Sequence, residues 1–287
     1  MIVLSSKKSA GIAEEVVKSL KATFGRIDTK TFPDGEVYVR IRDKVEGKDI
    51  VYIHTAQNNN DLIELFLALS AFKENKAKRI TCVIPYLAYS RQDEAFLDGE
   101  AISAQTILRS IASYADEIVT VNAHFLNEAG KFEFGGVTLH NLDAFPLLAK
   151  YFKHVKKPVV LSPDEGSLYY AKEAASVIKC EFDYLVKRRI SGEDVEMQPK
   201  HLDVHGKDVI ILDDIISTGG TIIRASERLK EHGALGVYVG CVHGVFAKGT
   251  GMFKELNELI CTDTIPMKLS MVSVAPLIAE YLKKSKP

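Results

Sequence analysis

The chain has 287 residues, enough for two domains of ordinary size, each with its own core. Hydrophobic residues make up 46% and charged residues 26%, the balance of a soluble globular protein, and a formal charge of −1 gives no bulk attraction to nucleic acid or to an anionic membrane. The opening MIVLSSKKSAGIAEEV has too short an apolar run for a signal peptide and no segment reaches the length of a membrane span, so a cytoplasmic protein is expected. Cys82, Cys180, Cys241 and Cys261 lie far apart, without metal-ligand spacing, and read as small buried hydrophobes in a reduced compartment.

Short β-branched runs alternate with helical patterns along the chain, which predicts an α/β fold with largely parallel sheets flanked by helices. Ile2-Val3-Leu4, Ile50 to Ile53, Ile80 to Ile84, Ile118 to Val121, Val159 to Leu161, Val209 to Leu212 and Val237 to Val242 are the expected strands. Leu62, Leu65, Phe66 and Leu69 fall on one helical face, with Asp61 and Glu64 as its expected capping box. Ile107, Leu108 and Ile111 mark another helix. Ser273 is the expected cap of a last one, with Pro276 near its start and Leu277, Ile278 and Tyr281 inside it. A boundary near Phe145-Pro146 divides the chain into domains 1–145 and 146–287, the last helix being free to pack back on the first.

The halves echo each other. From Gly47 and from Gly206, a gapless alignment gives Gly-Lys-Asp, an apolar strand, a polar turn, an amphipathic helix, a second strand and a shared cysteine, Cys82 and Cys241. Such a register favours duplication over chance likeness between two strand–turn–helix units. Opposite Asp213-Asp214 the first copy has His54-Thr55, and opposite Ser217 to Gly220 it has Asn58 to Asp61, so the first copy has lost the chemistry of that loop.

That chemistry lies in Val209 to Thr221, VIILDDIISTGGT. A buried strand is expected to deliver Asp213 and Asp214 to its exposed C-terminal end, where carboxylates accept hydroxyl protons. Ser217, Thr218, Gly219, Gly220 and Thr221 then supply backbone N–H groups and hydroxyls at the start of a helix, where a phosphate is welcome. An Asp pair could simply cap the helix. Two carboxylates together with the STGGT turn exceed what a cap requires and suit a phosphorylated sugar.

The segment resembles the phosphoribosyl-pyrophosphate motif shared by phosphoribosyltransferases and ribose-phosphate pyrophosphokinases, which implies two tandem phosphoribosyltransferase-like domains. Three further stretches resemble the pyrophosphokinases in particular. TFPDGEVYV, from Thr31, matches the family's FPDGE loop; alone it is an ordinary Pro-Asp-Gly turn. In the family the aromatic, here Phe32, stacks on adenine, while the positions of Asp34 and Glu36 recognise the nucleotide in a neighbouring subunit's site. At least a homodimer is thereby implied. IPYLAYSRQDEAFLDGEAISAQ, from Ile84, resembles the family's ATP-binding segment and assigns Arg91, Gln92 and Asp93 to ATP. The plainer alternative there is a surface ion pair between Arg91 and Asp93. Lys187-Arg188-Arg189 opens a polar stretch with little periodicity, read as a mobile loop; the resemblance gives Lys187 and Arg189 contacts to the transferred group.

His124 matches the histidine of the family's Asp-Leu-His segment, near magnesium and the ATP phosphates. Asn122 replaces the aspartate and Lys131 an aromatic, and a neutral amide is a poor magnesium ligand. Asp164, in SPDEGS, matches the start of the family's SPD turn and is the second expected metal contact, with Ser167 and Tyr170 departing from the pattern. The resemblance, extending from the FPDGE loop to Glu280, implies Mg²⁺ as cofactor and the reaction of ATP with ribose 5-phosphate. A phosphoribosyltransferase of nucleotide salvage and a non-catalytic regulatory homologue stand as the alternatives, and neither nucleic acid nor membrane is expected as a partner.

Overall fold

Apolar runs that are buried along their whole length form the centres of two sheets, as expected of parallel strands covered on both faces. The computed structural model describes residues 1–191 and 194–285, with the side chains over 187–197 outside the description. The chain divides into two compact units. The first holds residues up to Leu142, Thr264–Pro266 and the C-terminal stretch from Ser273; the second holds Asp143–Asp263 and Met267–Val272. Among the described residues no helix is long and apolar enough to cross a membrane.

In the first unit the elements run β1 (Ile2–Ser5), α1 (Ala10–Leu20), β2 (Thr23–Phe24), β3 (Ile27–Thr31), β4 (Val37–Ile41), β5 (Asp49–Ile53), α2 (Asn59–Glu74), β6 (Arg79–Ile84), α3 (Ser103–Ala112), β7 (Glu117–Val121), β8 (Gly130–Phe134) and β9 (Val137–Leu142). Its main sheet has the order β2-β1-β5-β6-β7-β9-β8, parallel except for the β8 edge. Tyr52, Leu65, Leu69, Phe72 and Leu108 fill the core beneath it. β3 and β4 form a separate antiparallel hairpin packed on α2.

The second unit runs α4 (Phe145–Tyr151), β10 (Pro158–Ser162), α5 (Leu168–Ile178), β11 (Glu181–Ser191), β12 (Asp194–Pro199), β13 (Asp208–Ile216), α6 (Gly220–Glu231), β14 (Gly236–Gly244), β15 (Glu258–Thr262) and β16 (Ser270–Val272). Its sheet order is β12-β11-β10-β13-β14-β15-β16, parallel except for the β12 edge. The last helix, α7 (Ala275–Lys284), belongs to the first unit, where it packs on α1. Tyr281 anchors it by donating to Glu117 at 2.6 Å, a carboxylate that also holds Arg79 and Thr81.

Four expectations are corrected. The capping box of α2 is formed by Asn58 and Asp61, each side chain accepting the other's N–H at 3.1 Å, because α2 starts before the apolar periodicity does. Glu64 lies inside the helix. Val274, not Ser273, takes the N-cap position of α7, although the Ser273 hydroxyl still accepts the Ala275 N–H at 3.2 Å. The stretch from Lys187, read as a mobile loop, continues β11 and returns as β12, because backbone pairing needs no apolar period. Finally, the gapless repeat breaks. Asp49 pairs with Arg79, 30 residues on, while Asp208 pairs with Gly236, 28 residues on, so the second strand is displaced by two residues and Cys82 is not the counterpart of Cys241. The shared strand order β2-β1-β5-β6-β7 and β11-β10-β13-β14-β15 survives this correction.

Candidate active site

β13 does not end at its carboxylates. It continues to Ile216, with Asp213 opposite Cys241 and Ile215 opposite His243, so Asp213 and Asp214 are held by the ladder itself. Both are partly exposed between buried Leu212 and buried Ile215. Asp214 accepts the Ile215 N–H at 2.8 Å. Burial first, then the neighbouring Asp214 and the more distant Asp164, push the Asp213 carboxyl well above the usual range. Charge crowding of this kind is relieved by hydroxyl donors or by a cation.

The turn that follows is built on Gly219, whose φ of 82° lies in the left-handed region. α6 starts at Gly220 with no side-chain cap and no acidic residue in its first turn, so its N-terminal N–H groups carry no side-chain anion. A segment after β14 backs the loop. Ala247 N–H donates to Ser217 O at 2.8 Å and Phe246 N–H to Ile216 O at 3.0 Å. Phe246 is buried with φ 41°, and Phe253 packs so closely that a Cβ on Gly219 would lie 2.2 Å from its Cζ. None of these three supports was expected from the sequence; the glycines and aromatics of GVFAKGTGMF are the only local signal.

Asp164 occupies the turn after β10 in the same unit. Its main-chain oxygen accepts Ser162 Oγ at 2.7 Å, and its Oδ1 accepts the Ser167 N–H at 3.2 Å. Tyr170 is buried and stacks on Phe145 with centroids 4.7 Å apart. Among the described residues no three His, Cys, Asp or Glu side chains form a ready-made metal cage. A single carboxylate such as Asp164 suits magnesium, which is normally held by one or two carboxylates and completes its shell with water and substrate phosphates. Lys187 and Arg189 lie on β11, and their side chains are outside the described residues.

In the first unit, Phe32 to Glu36 form the tip of the β3–β4 hairpin. Gly35 N–H donates to Phe32 O at 2.9 Å, Asp34 Oδ1 accepts the Glu36 N–H at 3.1 Å, and Gly35 has φ 95°. Phe32 stays 38% exposed, which leaves ring surface for stacking, while Lys30 Nζ lies 4.3 Å from its centroid and Tyr38 meets it edge-on. Arg91 is exposed and forms no ion pair with Asp93, which removes the plainer reading of that pair. Gln92 O accepts the Ala104 N–H at 3.1 Å, tying the segment to α3. Tyr89, at φ 67°, donates to Asn59 at 2.6 Å, a tie that the sequence did not announce.

His124 is exposed on the loop after β7. Its loop is organised by buried Asn141, which accepts the Ala123 N–H at 2.9 Å and donates to Glu128 O at 2.9 Å. Asn122 is fully buried at φ 40°, a conformation asparagine tolerates better than most residues.

Comparisons with known proteins identify the family. Residues 1–114 match the N-terminal domain of ribose phosphate pyrophosphokinase, and residues 145–275 match the phosphoribosyl transferase domain. The chain is 42% identical to ribose-phosphate pyrophosphokinase 2 of Archaeoglobus fulgidus over 98% of this chain and 100% of that protein. It is 39% identical to the ribose-phosphate pyrophosphokinase of Methanothermobacter thermautotrophicus, again over 98% and 100%. The crystal structure of phosphoribosylpyrophosphate synthetase from Mycobacterium smegmatis superposes with a TM-score of 0.82 at 28% identity, covering 98% of this chain and 97% of that one. Two phosphoribosyltransferase-type units, an Asp-Asp strand leading into an uncapped helix and similarity along the whole chain lead to one conclusion: this chain is an enzyme of the ribose-phosphate pyrophosphokinase family.

Proposed function

We infer that this chain transfers the β,γ-diphosphoryl group of ATP to the C1 hydroxyl of ribose 5-phosphate, giving 5-phospho-α-D-ribose 1-diphosphate and AMP. The observation that carries the reading is the junction of β13 and α6, where paired carboxylates meet a loop whose donors have no side-chain anion. Asp213 and Asp214 accept the ribose 2- and 3-hydroxyls, and Ser217 to Thr221 receive the 5-phosphate. Phe32, Asp34, Glu36, Arg91, Gln92 and Asp93 serve ATP. The C1 oxygen bonds to the β-phosphorus, the bond from that phosphorus to the oxygen retained by AMP breaks, and the hydroxyl proton passes to solvent. Positioning and charge neutralisation carry such a transfer more than a strong base does. Lys187 and Arg189 offset charge on the phosphoryl oxygens, and His124 and Asp164 orient the ATP phosphates. The resemblance gives His124 and Asp164 each as a contact for Mg²⁺, which would supply further charge neutralisation when bound.

ATP is assigned to the first unit and the sugar phosphate to the second. Self-association, at least to a dimer, lets the exposed β3–β4 tip complete a neighbour's ATP site, and a cytoplasmic location agrees with the cysteines being free. The test is AMP release from ATP, Mg²⁺ and ribose 5-phosphate, with solution mass measured in parallel. Absence of AMP would sink the reading, and a monomer active at the same specific rate at every dilution would sink the shared site.

A further inference from the structure

Arg224 lies on the exposed side of α6, one turn after Gly220. A helical side chain at that spacing leans back over the turn before it. Its Nη1 accordingly comes within 3.9 Å of where a Cβ on Gly220 would be, at the mouth of the phosphate loop. Glu227 stands three residues on, where an ion pair is available, yet Arg224 takes no hydrogen bond or ion pair from any described residue; the pair formed on this helix joins Arg228 to Glu231 at 2.7 Å.

Electrostatics runs against this placement. The N-terminal end of a helix carries partial positive charge and favours acids, not guanidinium groups. The first turn of α6 contains no acid, and Gly219 offers no side-chain cap. Uncapped N–H groups and an unpaired cation thus converge on one small space, kept open by a glycine at 220. An anion entering that space satisfies both, and a planar guanidinium is suited to two oxygens of one phosphate.

We propose that Arg224 is a phosphate-binding residue that closes on the 5-phosphate of ribose 5-phosphate from the α6 side. The proposal rests on the assignment of this loop to ribose 5-phosphate. Its test is calorimetric binding of ribose 5-phosphate to the full chain without ATP, together with steady-state AMP formation, for wild type, Arg224→Ala and Arg224→Lys. Arg224→Ala is expected to weaken ribose 5-phosphate binding and raise its KM about tenfold, with KM for ATP and the melting temperature unchanged. Arg224→Lys should recover much of the loss, and unphosphorylated ribose should bind all three proteins alike. Unchanged ribose 5-phosphate affinity in Arg224→Ala, or an equal rise in KM for ATP, overturns the proposal. Wild-type protein that binds ribose 5-phosphate but releases no AMP overturns the proposed reaction and leaves the Arg224 comparison intact; wild-type protein that does not bind it overturns both.

Discussion

Replacing Gly219 with alanine would show how much of the proposed sugar-phosphate site depends on one backbone conformation. At φ 82° an L-residue carries a penalty of about 1–2 kcal/mol. The added Cβ would lie 2.2 Å from Phe253 Cζ, 2.9 Å from Phe253 Cε1 and 3.2 Å from Met252 Sδ. Phe253 cannot easily yield: it is 5% exposed and meets Phe246 edge-on at 5.5 Å. Overpacking of this kind costs about 1–3 kcal/mol, so the total is about 2–5 kcal/mol. Urea unfolding should register that loss, and KM for ribose 5-phosphate should rise at least about tenfold while KM for ATP holds, because the displaced atoms are those of the loop. Adding Phe253→Leu should return the steric part and leave the backbone part, a coupling that a double-mutant cycle reads directly. Wild-type stability and wild-type KM in Gly219→Ala would refute the reasoning, and strict additivity of the two substitutions would show that Phe253 is not the obstacle.

Lys187→Ala should lower kcat by about 10²-fold or more with little change in KM, as expected for a contact made mainly in the transition state; an unchanged kcat removes Lys187 from the chemistry. Phe32→Ala should raise KM for ATP roughly 5- to 150-fold, the range of a lost base–aromatic stack, and leave ribose 5-phosphate affinity intact; equal loss of both would make the hairpin tip a structural element. Burial lowers the His54 pKa to about 4 from 6.5, so the unfolded chain binds the extra proton between those values and His54 stabilises the fold above pH 6.5, by roughly 3 kcal/mol, a contribution lost as pH falls to 4. Urea unfolding of His54→Gln should show a shallower pH slope across that window than wild type, and equal slopes would exclude His54 as the titrating group.

The parts of the fold that were legible are those where one physical signal is local. Ile50 to Ile53 and Val209 to Leu212 are continuous apolar runs, and both are buried parallel strands. The Asp-Asp pair and Gly219-Gly220 announce their junction because a left-handed turn at a helix start needs glycine. β11 and β12 were not legible: KRRISGEDVEMQ has no apolar alternation, and edge-strand pairing is satisfied by the backbone alone. Nor were the supports of the site. Asn141 orders the loop of His124 from 18 residues away, and Phe253 meets Gly219 only because β14 and the segment after it return beside β13. Contacts of that kind depend on the tertiary fold and leave no mark in local spacing.

The two halves show how one strand–turn–helix frame can be opened or closed by a few side chains. In the second half the start of α6 has neither cap nor acid, and burial and the neighbouring Asp214 push the Asp213 carboxyl up. In the first half every corresponding group is satisfied within the unit. His54 replaces the first carboxylate; its Nε2 must carry the proton, since it faces the Asp61 carbonyl at 2.8 Å, and its Nδ1 accepts the Tyr52 hydroxyl at 3.1 Å. Thr55 replaces the second, donating its hydroxyl to Thr264 O at 2.7 Å and its N–H to Ser9 Oγ at 2.8 Å. Asp61 then supplies the anion internally: one carboxylate oxygen accepts the Gln57 and Asn58 N–H groups at 2.8 and 3.1 Å and pairs with Lys8 at 2.6 Å. A carboxylate in the first turn of α2 thus accepts backbone donors at the start of its own helix, whereas the first turn of α6 has no acid. The departure of the first half from the Asp-Asp…STGGT pattern is therefore not mere erosion of a motif. Its polar groups have been re-paired with one another, and the unit's remaining exposed features, the Phe32 hairpin tip, Arg91 and His124, are the ones the proposed function assigns to ATP.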